Sequence, residues 1–536
     1  MITEGRGEMK PYVPGERAPK KGSPSEMLRI AVTFRRPKDG LGPTKAPARL
    51  SAASVMSFAP EAYDVDHALH ELNRRGFKTS GRGRLTASIR GTRAQFEKTF
   101  GTKLATVHLD PAKAYQFHTF YYPPDGAPWS PDPAIMALID DAYIQWPHIY
   151  MAAKLKTAPK AAVKTKAVPA AGAVPGAPAV SAKPPKVDYW HLDVPGDLTK
   201  LLNVAPVHKA GTTGSGIRIA MIDTGFLHSH PFFSSHGYTS SVVLASGASN
   251  QLTDPGSHGT GESANIFSVA PGATFIGVKL GNDSDPQGGA SILEGFQEAL
   301  KHSPHVISIS MGYDLRDVNS PMAELPGSLK GLEAEIHAAV ASGITVVFSA
   351  GNGQYAFPGQ MPDVISVGGV FVDKSGAMLA SDYATSFDSL IYSGRHVPDF
   401  CGLVGMLPHA DYIMLPVPPG GAIDQENATH DETKPDDGWG VFSGTSAAAP
   451  QVAGVCALLL AKNPKLKPAD IKAILGRTAR PIKKGMPIRP PIPWAWVCWR
   501  RTVLPDRASS MPMRPGSRRR REAMSGGRAA DYPTIA

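Results

Sequence analysis

Three short segments hold residues whose chemistry fits together. IRIAMIDTG carries Asp223, GSHGTGESANIFSVAPGA carries His258, and GVFSGTSAAAPQVAGVCALLLA carries Ser446. A serine hydroxyl is a weak nucleophile and needs an adjacent base. An imidazole serves as that base, and a carboxylate fixes its tautomer and stabilises its charged form. The order Asp, His, Ser along a chain is one of the known orders for this arrangement. A fourth segment, TVVFSAGNG, sets Asn352 just past an apolar run, where its amide can donate to an oxyanion. Gly444 and the small residues Ala447 to Ala449 let a substrate backbone approach Ser446. The helix starting there offers N–H groups and a positive dipole end to a developing negative charge.

Such residues need a frame that brings them together. Ile217–Ile222, Phe275–Lys279, Val306–Ser310 and Thr345–Ser349 are β-branched, apolar runs that read as buried parallel strands. Helical patterns cover Ala290–His302, Ser328–Ser342, Ser446–Lys462 and Pro468–Arg477. The alternation predicts an α/β domain over 188–482, with a doubly wound, mostly parallel sheet flanked by helices. In such folds the site lies at the carboxyl ends of the strands. Ahead of it, 26–150 reads as a small α+β domain. Its strands are Leu28–Phe34 and Leu85–Ile89, and its helices Val65–Arg75 and Arg93–Phe100. Residues 1–25 are a polar leader, and 151–187 are an Ala/Pro/Lys-rich linker of the kind that proteases cut.

Asp223-Thr-Gly, His258-Gly-Thr, Asn352 in Ala-Gly-Asn, and Gly444-Thr-Ser446 followed by Pro450 resemble the subtilisin-like (subtilase) serine proteases, from about Trp190 to Arg480. VISISMG resembles that family's substrate-pairing strand, at Ser310, Met311 and Gly312. The resemblance implies peptide-bond hydrolysis through an acyl-enzyme. Asp223, His258 and Ser446 would be the triad, Asn352 the oxyanion donor, and polypeptides the substrates. No cofactor is needed for catalysis, and an extracellular setting is implied. One departure is Gly261, where the family usually has a second histidine.

The N-terminal text IRGTRAQFEKTFGTKLATVH, after ALHELNRRGFKT, resembles the activation domain of the sedolisin (kumamolisin-like) proteases. That implies a zymogen whose own propeptide inhibits it until removed. Sedolisins use Glu where subtilases use His, and Asp where subtilases have the oxyanion Asn, so His258 and Asn352 favour subtilase chemistry. Two alternatives stay in view: a catalytically inactive binding protein on the same fold, and a Glu-dependent protease of the sedolisin type. Glu262, one turn after His258, reads either as a relic of the latter or as a complement to the helix dipole.

Other signals are weaker. A lone Asp-Thr-Gly could mark an aspartic protease, but those need two such aspartates sharing a proton, and the chain has one. His228, His230 and His236 are irregularly spaced in a Pro/Ser loop and read as structural or surface residues, so no metal site is expected. Gly281–Asp285 is Asp/Asn-rich, but lacks EF-hand spacing, so a structural calcium has no motif behind it. Three cysteines, Cys401, Cys456 and Cys498, make no disulfide framework. The net charge of +10 is clustered at 154–186 and Arg518–Arg521, which argues against a nucleic-acid partner. No apolar run reaches the length of a membrane span, and no apolar leader is present.

From 483 to 536 the text turns into an irregular Arg/Pro-rich tail. Trp494-Ala-Trp496-Val-Cys-Trp499, read in the frame that joins each codon's last base to the next two, becomes an apolar, Gly-rich stretch. That is what the fold would want there, so a shifted reading frame after about Lys484 is expected, with a mobile, dispensable tail.

Overall fold

The computed structural model describes residues 27–46, 49–108, 119–124, 126–150, 180–285, 288–316, 321–487 and 532–534. In the N-terminal unit, β1 (Met27–Phe34) buries nearly every residue because sheet partners flank it and helices cover it. α1 (Ala62–Arg74) presents Val65, Ala68, Leu69 and Leu72 as one buried stripe. β2 (Lys78–Arg82), β3 (Thr86–Thr92) and β4 (Ile139–Ile144) join β1 in an antiparallel sheet of order β2-β3-β1-β4. α2 (Arg93–Phe100) starts with a capping box between Thr92 and Gln95 and stops at Gly101, whose φ of 60° suits glycine. The unit ends on β5 (Ile149–Tyr150).

The larger unit is built on seven strands, of which those over 218–223, 274–279, 306–309 and 345–349 fall on the runs read as buried. The seven are β6 (Arg218–Asp223), β7 (Ser240–Leu244), β8 (Thr274–Lys279), β9 (Val306–Ile309), β11 (Thr345–Ser349), β12 (Ile365–Val372) and β13 (Phe400–Leu403). β10 (Met311–Asp314) leaves the sheet directly after β9. β14 (Ile413–Pro416) and β15 (Trp439–Phe442) form a separate ladder. β16 (Arg480–Ile482) and β17 (Tyr532–Thr534) close the main sheet, whose order is β7-β8-β6-β9-β11-β12-β13-β17-β16. Pairing is parallel from β7 to β17. The order reverses beside β6, which creates the crevice where such sheets hold their sites.

Successive side chains of β6 point to opposite faces. Ala220 and Ile222 join one core with α4 (Ile292–Leu300) and α5 (Gly327–Ala341), while Ile219 and Met221 join another with α3 (His258–Val269) and α6 (Thr445–Lys462). Cover on both faces explains the unbroken apolar runs. The doubly wound, mostly parallel α/β class is what forms. α7 (Pro468–Thr478) follows α6 as expected. β7, β12 and β13 escape the sequence reading because SSVVL is a short, partly exposed strand, ISVGGVFV carries a glycine pair and FCGL is short.

One helix departs from the sequence expectation about membranes. α6 is 18 residues long with a mean hydropathy of 1.2, enough in length and composition to cross a bilayer. Yet 78% of it is buried inside the fold, so its apolar character belongs to the core. In the tail, 488–531, on which the frame expectation falls, lies outside the described residues. Tyr532–Thr534 is a strand between β13 and β16.

The N-terminal sheet lies on α4 and α5, and both units share one apolar core. Glu335 of α5 accepts from Leu85 N at 2.6 Å and Thr86 N at 2.8 Å, and burial pushes its carboxyl upward. Arg90 Nη2 lies 3.0 Å from Glu294 of α4, and Arg29 Nε donates to Gly289 O. β5 pairs antiparallel with β10, Ile149 facing Gly312 and Tyr150 facing Met311.

Candidate active site

Asp223 is the last residue of β6, and His258 the first of α3. Both are buried, and His258 Nδ1 donates to Asp223 Oδ1 at 2.8 Å. The approach is close because residue 259 has no side chain. A Cβ there would fall 2.3 Å from Gly225 O and 2.8 Å from Asp223 Cβ. Asp254, which the sequence reading missed, ties the two elements together. It accepts from Thr224 Oγ1 at 2.6 Å, Thr260 N at 2.9 Å and Thr260 Oγ1 at 2.7 Å. Thr224 Oγ1 in turn accepts from Gly259 N at 3.1 Å. The available signal was an acidic residue four places before the histidine, in TDPGSHGT. Ser257 sits between them with φ +56°, a conformation a non-glycine residue adopts at some cost. Ala422 N donates to its hydroxyl at 3.0 Å.

Gly261 marks the departure from the family pattern. A Cβ there would stand 2.6 Å from Phe442 Cζ. The ring of Phe442 fills the space a larger residue would take, so the change is matched by packing.

Ser446 is the second residue of α6, after the extended Gly444. It is 1% exposed, and its Oγ lies 3.5 Å from Ser310 O. Ser310 Oγ donates back to Ser446 O at 2.9 Å. The start of α6 is thus pinned to the end of β9, where β10 begins. Asn352 follows β11 by three residues, and its Oδ1 accepts from Thr445 N and Thr445 Oγ1, both at 3.0 Å. With the oxygen fixed on the residue beside Ser446, Nδ2 is the donor end of that amide.

The remaining candidates take ordinary roles. His228 bonds Ser240 Oγ at 2.6 Å and Ser263 Oγ at 2.9 Å, and burial pulls its pKa to about 3. His230 bonds Gly438 O at 2.9 Å, and the ring of His236 stacks on Tyr238. Among the described residues no group of three or more His, Cys, Asp or Glu is placed to hold a metal ion. In the Gly281–Asp285 stretch, Asp283 accepts from Lys279 Nζ at 2.7 Å and from Thr253 Oγ1 at 2.6 Å. Cys401 and Cys456 are buried free thiols, and Cys498 lies outside the described residues.

A doubly wound sheet thus holds an Asp–His pair at its carboxyl edge and a serine at the start of a helix packed against it. The subtilase family model matches residues 214–509, more than half the chain, and the chain belongs to that family. The match runs past the Ile482 boundary into the tail. Subtilisin E of Bacillus subtilis (strain 168) is 29% identical over 290 residues, 51% of this chain and 63% of that protein. The aligned stretch therefore spans less than two thirds of that relative's length. The subtilisin of Bacillus pumilus is also 29% identical over 290 residues, covering 51% of this chain and 87% of that one. Fervidolysin from Fervidobacterium pennivorans, a keratinolytic enzyme related to subtilisin, overlays 90% of this chain and 60% of its own at 17% identity and a TM-score of 0.48.

Proposed function

We propose that this protein is a serine endopeptidase made as a zymogen, cutting polypeptides through an acyl-enzyme. In this reading Ser446 is the nucleophile, His258 the base, Asp223 its orienting carboxylate and Asn352 the oxyanion donor. Ser310, Met311 and Gly312 align the substrate backbone, and the enzyme works outside the cell. The observation that carries the reading is the 2.8 Å bond from His258 Nδ1 to Asp223. It fixes the tautomer that turns Nε2 into the base. A fluorophosphonate probe should label the processed protein at Ser446, and a processed protein that takes up no probe would point to an inactive binding protein instead.

In the same reading the N-terminal unit is the propeptide and 151–187 the segment that is cut. The pairing of β5 with β10 supports this. The chain enters as a strand on Met311 and Gly312 and runs toward Ser310, whose carbonyl neighbours Ser446. A segment lying where substrate would lie blocks the site. The mature enzyme should begin within 151–187 on N-terminal sequencing, and the released unit should inhibit it when added back. A mature N-terminus upstream of residue 100, or inside the α+β unit, would refute the assignment.

A further inference from the structure

Glu262 takes no part in the reading above, yet its surroundings are specific. It lies one turn after His258 on α3 and is 1% exposed. Its Oε1 is 3.6 Å from His258 Nε2, the ring nitrogen across from the one bonded to Asp223. Its Oε2 accepts from Asn265 Nδ2 at 3.0 Å. Asn265 Oδ1 accepts from Gln451 Nε2 of α6 at 3.1 Å. Gln451 is clamped on the backbone of Leu403 in β13, accepting from its N at 2.7 Å and donating to its O at 3.1 Å. A chain of buried amides anchored in the sheet thus grips one carboxyl oxygen while the other faces the imidazole.

The helix dipole is a poor account of this residue. Glu262 is the fifth residue of α3, beyond the first turn where unsatisfied N–H groups and the dipole act. Burying a carboxyl costs free energy unless specific partners offset it. Those partners here are the amide chain on one side and His258 on the other.

We infer that Glu262 is a second carboxylate partner of the catalytic imidazole, a positioning residue that holds the charged ring opposite Asp223 and so sets the pH at which His258 can accept the Ser446 proton. This rests on the protease reading. The charged groups bearing on the pair are Asp223 at the end of β6 and Asp254 in the loop before α3. From α6, Ser446 and Gln451 are neutral. Burial alone pulls His258 down, but Asp223, Glu262 and Asp254 together outweigh it and push it up. Burial pushes Glu262 up, with His258 pulling the other way. The base must be neutral to act, so activity rises as pH climbs through the His258 value. Removing the second carboxylate lets the ring give up its proton at lower pH.

The test is the pH dependence of kcat/KM on an uncharged peptide substrate, using the full-length protein after it has processed itself. The rate of fluorophosphonate labelling against pH gives a second readout. Glu262→Gln keeps the shape and an acceptor for Asn265. Its acid limb should move down by about one pH unit or more, the usual effect of an opposite charge at this range. A limb that stays at the wild-type position overturns the proposal. Should Glu262→Gln fail to fold, Asn265→Ser serves. Loss of that bond keeps the carboxyl protonated to higher pH, so the limb should shift the same way by less, and an unmoved limb again overturns the proposal. Wild-type protein that takes up no probe at any pH would overturn the protease reading and this proposal with it. Labelling with an unmoved limb overturns the proposal alone.

Discussion

Ser446→Ala should abolish hydrolysis of casein-like substrates and leave an unprocessed, soluble precursor. The fold should tolerate the change. Ser446 is buried at the start of α6, and alanine is smaller and a better helix former. The contact pinning this helix start to β9 is Ser310 Oγ donating to the backbone oxygen of residue 446, which any side chain there leaves intact. Only the hydroxyl is lost, with its proximity to Ser310 O at 3.5 Å. Loss of a triad nucleophile costs orders of magnitude in kcat, with residual rate coming from the oxyanion site and binding. Retention of even a tenth of the wild-type rate, measured on purified precursor or on protein processed in trans, would sink the assignment. The absence of self-cleavage, seen as a single full-length band, is the companion result.

The candidate site was legible in the sequence because its residues sit in short local motifs. Asp223 ends a β-branched run, His258 and Ser446 open small-residue helices, and Asn352 follows a strand by three residues. Each strand end and helix start can be read locally, and a parallel sheet brings such ends together. What joins them is less legible. Asp254 works through Thr224 and Thr260, and Glu262 through Asn265 and Gln451, partners that only the packing of α3 on β6 and α6 reveals. Gly261 looked like a defect beside the family pattern, because Phe442, the residue that fills its space, lies 181 positions further along and on another element. The second half of the sheet was missed for a different reason. β12 and β13 hold glycines where period and propensity call for β-branched residues, and the parallel ladder and the helices packed on both faces override that local preference.

Asn352→Ala should lower kcat by about 10²–10³ with little change in KM, the signature of a donor used only in the transition state. In the proposed mechanism Asn352 has a second job besides its oxyanion role. Its oxygen accepts from Thr445 N and Thr445 Oγ1, so it also caps the first residue of α6, next to Ser446. Alanine would remove that acceptor from buried groups, at a cost of about 1–3 kcal/mol in stability. A fall in activity could then come from a displaced nucleophile. Asn352→Asp separates the two effects. It keeps an oxygen for Thr445 but replaces the amide donor with a second acceptor, so the folded state should hold while kcat falls at least as far. Rates for both variants need normalising to probe-titrated Ser446, with thermal unfolding measured alongside. An Asp variant of near wild-type kcat would show that Asn352 serves α6 and not the oxyanion. A loss confined to KM would make it a substrate-binding residue.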